Sequence, residues 1–192
     1  MGRKDNGNHA VFVDRDGTII REKNYLRKIK DVKLIRGAVS GLKMLARRGY
    51  KLFIVTNQSG IARGYLSEKK LKQINGYLVK LLNKKGAAVD GVYFCPHMPG
   101  YGCKCRKPAL GMVVEACRKT KINLSKSFAV GDHVNDFLLG QNMGGRGIFL
   151  LTGHGRKELK KIKASCGGLK PDFISKNLFE AAKIIIKNGG IS

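Results

Sequence analysis

The stretch "AVFVDRDGT", residues 10–18, runs through four apolar residues and then presents Asp14, Arg15, Asp16, Gly17 and Thr18. A short Val- and Phe-rich run that ends in a polar turn reads as a buried strand delivering two carboxylates at its carboxyl end. The pattern recurs at "KLFIVT" (51–56), "GVYFC" (91–95), "SFAVGD" (127–132), "GIFLLT" (147–152) and "DFIS" (172–175). Between these runs lie segments of helical period at 37–49, 67–86, 110–121, 133–144 and 178–189. Strand alternating with helix predicts an α/β fold, a Rossmann-like parallel sheet with helices on both faces in three layers. Ser67 opens one helix, and Gly49, Gly86 and Gly189 stand where helices should stop. No repeat, low-complexity tract or Pro-rich linker divides the 192 residues, of which 43% are hydrophobic. One domain over 1–192 is expected, with residues 1–9 as a flexible tail.

The formal charge of +25 suggests attraction to polyanions, either nucleic acid or phosphorylated substrates. The basic residues are scattered, in groups such as "RKIKDVK" (27–33), "RKTK" (118–121) and "RKELKKIK" (156–163), with few aromatics among them and no Trp. A platform for single strands would place rings beside those cations. A solvated lysine-rich surface is therefore the expectation, and nucleic acid is not the expected partner. The chain shows no apolar signal region and no run of eighteen apolar residues, so secretion and membrane insertion are not expected and the cytoplasm is. Its five cysteines then suit metal binding better than disulfides. Cys117 and Cys166 stand apart and read as small hydrophobes.

In an open parallel sheet the ligand crevice lies outside the carboxyl ends of the strands. The first end carries Asp14 and Asp16, whose crowding raises the cost of ionising both unless a cation or hydrogen bonds intervene. The second, "TNQSG", offers Thr56, Asn57 and Ser59 as neutral donors, with Gln58 between them. Arg106 and Lys107 follow the third strand, and "GDHVND" puts Asp132 at the tip of the fourth with Asp136 four residues on. Alone, each is a common turn or helix-cap signal. Together they supply what phosphoryl transfer needs. One carboxylate can attack phosphorus, a divalent cation and a lysine let two anions approach, and a second carboxyl group moves protons.

"CPHMPGYGCKCRKP", residues 95–108, contributes Cys95, His97, Cys103 and Cys105, a Cys₃His set typical of closed structural zinc. The one-residue gaps are tighter than usual, but residues i and i+2 of an extended chain point to the same side. The set ends one residue before Arg106, so a brace for the two cations is expected.

"VFVDRDGTI", "VTNQSGIARGY", "CRKP" and "VGDHVND" resemble the four motifs of the haloacid dehalogenase superfamily of phosphatases. More narrowly, DRDGT, TNQSGIARGY and the C-x-H…C-x-C-R-K-P loop are similar to the heptose-bisphosphate 7-phosphatase and histidinol-phosphatase group, over about Val11 to Gly155. The resemblance implies a minimal cap, Asp14 as nucleophile and Asp16 as general acid/base. It implies Thr56 and Lys107 holding the phosphoryl group, Arg106 recognising substrate, and Asn57, Gln58 and Ser59 as further phosphate or substrate contacts. Glu22 to Tyr25 matches a substrate-contacting segment, Tyr25 best in residue type. Mg²⁺ would be bound by the Asp14 carboxylate, the Asp16 backbone carbonyl and Asp132, and structural Zn²⁺ by the Cys₃His loop. The implied activity is removal of the C7 phosphate of a heptose bisphosphate on the route to surface polysaccharide. Histidinol phosphate is the rival substrate and a polynucleotide 3′-phosphatase the alternative of another class. A monomer is expected, since a minimal-cap enzyme completes its site alone. His133 is expected to face solvent, His154 to sit in a loop, His9 to belong to the terminus, and Arg63 to touch phosphate or its own loop.

Overall fold

The structure, a computed structural model, describes residues 7–164 and 168–190, so Cys166 lies outside the described residues. Six strands form one parallel sheet: β1 (Ala10–Val13), β2 (Lys51–Asn57), β3 (Gly91–Cys95), β4 (Phe128–Gly131), β5 (Arg146–Leu150) and β6 (Phe173–Ser175). Their order is β3-β2-β1-β4-β5-β6, with Val13 paired to Ile54 on one side and to Val130 on the other. Every residue of β1 and β4 is buried, as a sheet covered on both faces requires.

Side chains alternate between the faces, and each face has its own core. Val11, Val13, Leu52, Ile54, Val130 and Ile148 pack under α1 (Ala38–Arg47), α2 (Glu68–Lys84) and α6 (Leu178–Asn188). Ala10, Phe12, Phe53, Val55 and Ala129 face α3 (Gly111–Lys119) and α4 (Val134–Asn142). Ser67 caps α2 by accepting from the Lys70 N–H at 3.2 Å, and Gly49 and Gly86 take positive φ just beyond α1 and α2.

The basic run 156–163, which in sequence announces only charge, folds as α5 (Gly155–Ala164). Lys, Arg and Glu are good helix formers, but only Gly155 of this helix is buried, so no apolar period announced it. At the other end, residues 1–6 of the expected tail lie outside the described residues. Asn8 exchanges backbone bonds with Lys121 and Asn123 at 3.0 and 2.9 Å, and His9 O accepts from the Lys51 N–H at 2.9 Å, so this stretch is tied to the start of β2 and the segment leading into β4. No described helix is long and apolar enough to cross a membrane.

Candidate active site

Successive strands change direction of spread between β1 and β4, and that switch point is where a parallel sheet opens a crevice. The Asp14 N–H donates to Val130 O at 2.9 Å, which carries the β1–β4 pairing one residue further and sets the Asp14 carboxylate over the switch. Asp132 leaves β4 beside it. Two glycine backbones close around Asp132: a Cβ on Gly17 (φ 74°) would stand 2.3 Å from its Oδ2, and one on Gly153 (φ 48°) 2.2 Å. The Asp132 Oδ2 accepts from the His154 N–H at 2.7 Å and the Oδ1 from the Thr18 hydroxyl at 3.3 Å.

Lys107 is 4% exposed and uses all three donors: Nζ contacts Asp14 Oδ1, Asp136 Oδ1 at 2.7 Å and Val55 O at 2.8 Å. Its backbone is clasped by the Asn57 side chain, which accepts from the Lys107 N–H at 3.0 Å and donates to Lys107 O at 3.2 Å. Asp136 is both a capping residue and an ion-pair partner, since its Oδ2 accepts from the His133 N–H at 2.9 Å while Oδ1 meets Lys107. The cap signal was legible in sequence, whereas the pairing with Lys107 spans two elements and was not.

Burial raises the Asp14 pKa well above the usual carboxylate range, with Asp136, Asp132 and Asp16 adding to it against the pull of Lys107. Burial and then Asp136 push Asp132 up to about 7. Burial opposes the charge on Lys107, but Asp136 and Asp14 outweigh it and hold the ammonium form. Asp14, Asp132 and Asp136 each offer an oxygen within 4.8 Å of one another. Three buried carboxylates against one lysine leave an excess of negative charge, and an all-oxygen donor set suits a hard cation such as Mg²⁺. The grouping adds Asp136 to the expected carboxylates Asp14 and Asp132. The Asp16 side chain stands on the wall of the cavity over these carboxylates, with its Oδ2 accepting from Arg15, Thr56 and Gln58.

A cavity of about 180 Å³ opens over these groups and is also lined by Glu22, Thr56, Asn57, Arg106, His133, Asn135 and His154. Gln58, Ser59 and Tyr25 do not line it. Gln58 instead donates to Asp16 Oδ2 and to the Thr56 hydroxyl, both at 2.8 Å. Tyr25, at φ 53°, packs edge-on against Tyr65 with ring centroids 4.6 Å apart. Arg63 is exposed. His133 and His154, read as bland residues, stand on the cavity wall facing Glu158 at 3.7 Å and Glu22 at 4.0 Å. Asn135, inside the "GDHVND" motif, was missed.

Cys95 ends β3, and its Sγ lies 3.6 Å from both His97 Nδ1 and Cys103 Sγ. His97 Nδ1 to Cys105 Sγ is 3.3 Å, and Cys105 Sγ to Cys103 Sγ is 3.6 Å. A tetrahedron with metal–sulfur bonds of about 2.3 Å has edges of roughly 3.6–3.8 Å, so the donors stand where zinc would need them. The Arg106 Nη1 donates to His97 O at 3.1 Å, which ties this cavity-lining arginine to the loop.

The model of the Polynucleotide kinase 3 phosphatase family matches residues 9–164. The D-glycero-beta-D-manno-heptose-1,7-bisphosphate 7-phosphatase of Haemophilus ducreyi is 38% identical over 86% of this chain and 98% of its own length. The alpha-anomer enzyme of Photorhabdus laumondii is 37% identical over 92% of this chain and 96% of its own. Among solved structures, the D,D-heptose 1,7-bisphosphate phosphatase from B. bronchiseptica, complexed with magnesium and phosphate, superposes with a TM-score of 0.81 at 28% identity, covering 93% of this chain and 98% of that one. With its strand-end carboxylates, buried lysine and Cys₃His loop, the chain belongs to the heptose-bisphosphate phosphatase family of haloacid dehalogenase-type phosphoric monoester hydrolases.

Proposed function

We propose that the protein is a Mg²⁺-dependent phosphatase that hydrolyses the C7 phosphate of D-glycero-D-manno-heptose 1,7-bisphosphate, on the route to the nucleotide-activated heptose of surface polysaccharide. The observation that carries this reading is the buried Lys107 ammonium joining Asp14 and Asp136 beside Asp132 at the β1/β4 switch. Asp14 is the nucleophile: its carboxylate attacks phosphorus, the bond from phosphorus to the C7 oxygen breaks, and an aspartyl-phosphate forms. Asp16 gives its proton to the leaving oxygen, then takes one from the water that cleaves the aspartyl-phosphate and frees inorganic phosphate. The Thr56 hydroxyl and Lys107 hold the phosphoryl oxygens, and Arg106 binds the rest of the substrate with Glu22 and Asn57, which line the same cavity, as further contacts. Mg²⁺, held by the Asp14 carboxylate, the Asp16 backbone carbonyl and Asp132, would neutralise charge so that two anions can meet.

Cys95, His97, Cys103 and Cys105 would hold a structural Zn²⁺, which would stiffen the loop before Arg106 and Lys107. The chain works as a single domain, a monomer in the cytoplasm, and nucleic acid is not its substrate. Parallel assays with Mg²⁺ on both anomers of the heptose bisphosphate, histidinol phosphate and a 3′-phosphorylated oligonucleotide test this. The heptose ester should have the highest kcat/KM by at least about tenfold, the smaller end of what pocket contacts discriminate. A higher value for either of the other two esters rejects the substrate assignment.

A further inference from the structure

Arg15 sits between the two aspartates of the first motif, and the mechanism above gives it no task. Among the described residues it is the largest fully buried side chain, 1% exposed. A guanidinium is kept at such a place only if its donors are matched. Its Nε and Nη2 donate to Asp16 Oδ2 at 3.0 and 2.8 Å, and its Nη1 donates to Asn75 Oδ1 at 2.7 Å. Asn75 lies on the buried face of α2 among Leu71, Ile74 and Leu78, where an amide is costly and a poor helix former, so gripping Arg15 accounts for its presence.

The same Asp16 Oδ2 also accepts from Gln58 Nε2 at 2.8 Å and from the Thr56 hydroxyl at 3.5 Å. Asp16 Oδ1, by contrast, is buried with no partner among the described residues. Four donor atoms converge on one oxygen of the carboxylate and none on the other. The geometry points to Arg15, anchored by Asn75, as a positioning residue that pins Asp16 by Oδ2 and so fixes the orientation of the carboxyl group that passes the proton to the leaving group and takes it from water. This rests on the acid/base reading of Asp16.

A simple staple between the β1 loop and α2 would show the same contacts, so the test must read proton transfer itself. The parameter kcat/KM reports events up to formation of the aspartyl-phosphate. A sugar phosphate needs its leaving oxygen protonated at that stage, whereas p-nitrophenyl phosphate, which expels a stable phenolate, does not. Arg15→Met, Asn75→Leu and, as reference, Asp16→Asn are compared on both esters, with circular dichroism confirming the fold. General acid catalysis contributes about 10²- to 10⁴-fold, and Arg15→Met, which misorients rather than removes the acid, should lose roughly 10- to 100-fold on the sugar phosphate and under about threefold on the aryl ester. Asn75→Leu should show a smaller loss with the same selectivity, and it decides the matter alone if Arg15→Met fails to fold. Equal losses on the two esters, with selective loss in Asp16→Asn, overturn the inference and leave the acid/base reading standing. Equal losses in Asp16→Asn as well overturn both.

Discussion

Asp132→Asn should stabilise the metal-free protein, although it removes a residue placed at the heart of the site. Asp132 is 3% exposed, and its pKa rises from 3.8 to about 7 through burial and the charge of Asp136. A raised acid pKa means that the folded state binds the proton more tightly than the unfolded one. Stability is therefore lost as pH climbs from about 4 to about 7, at roughly 1.4 kcal/mol per pH unit. At pH 8 the raised pKa costs about 4 kcal/mol, and at pH 5.5, where the folded group is still protonated and only the unfolded one has ionised, about 2 kcal/mol. Asparagine keeps one acceptor for the His154 N–H and can donate to the Thr18 oxygen, so the exchange forfeits about 1 kcal/mol of hydrogen bonding. The net gain is about 3 kcal/mol at pH 8 and about 1 kcal/mol at pH 5.5. For a chain of this size each kcal/mol moves Tm by roughly 2–4 °C. The assay is thermal unfolding at both pH values after exhaustive dialysis, not chelation, so that the zinc loop keeps its metal, and then again with MgCl₂. Wild type should gain stability with Mg²⁺ at pH 8 and the variant should not. A variant no more stable than wild type at pH 8, or one that gains equally at both pH values, refutes the argument that buried carboxylate repulsion sets the stability of this site.

Lys107→Met leaves Asp14 and Asp136 facing each other without their cation, and breaking such a buried pair should cost about 3–5 kcal/mol in denaturant unfolding and abolish turnover. Gly153→Ala puts a methyl where 2.2 Å separates the added carbon from Asp132 Oδ2, at φ 48°; it should destabilise by at least about 2 kcal/mol and abolish the Tm response to Mg²⁺. Cys103→Ser should cut zinc content, measured by metal analysis, from about one per chain and raise KM more than it lowers kcat, because Arg106 hangs from His97 O in the same loop. Asp14→Asn should form no phosphoenzyme and release no phosphate.

The strands were legible because a parallel sheet buries both faces and so leaves uninterrupted apolar runs, as in β1 and β4. The strand-end carboxylates, Lys107 and the Cys₃His loop were legible for a different reason: few structures other than a site need those residue types in that order. The helix α5 was not, because a basic helix that buries only Gly155 carries no apolar period. Nor was the use of Arg15, since a residue between two aspartates reads as spacing until the fold brings Asn75 to it across 60 positions. His154 looked like a loop residue, and only the turn after β5 shows its N–H on Asp132.

The sequence by itself determined the alternation of elements, the chemical identity of the groups at the strand ends and the four soft donors of the Cys₃His loop, because these follow from local pattern and composition. Tertiary structure alone decided which groups meet. Asp136 rather than Asp16 shares the carboxylate cluster, Lys107 spends its three donors on Asp14, Asp136 and Val55 O, and one oxygen of Asp16 is pinned while the other is not. Ion pairing, burial and hydrogen bonding act through space over a few ångströms, and positions some thirty or more residues apart come that close only when the order of the sheet and the loops across its carboxyl edge have been set.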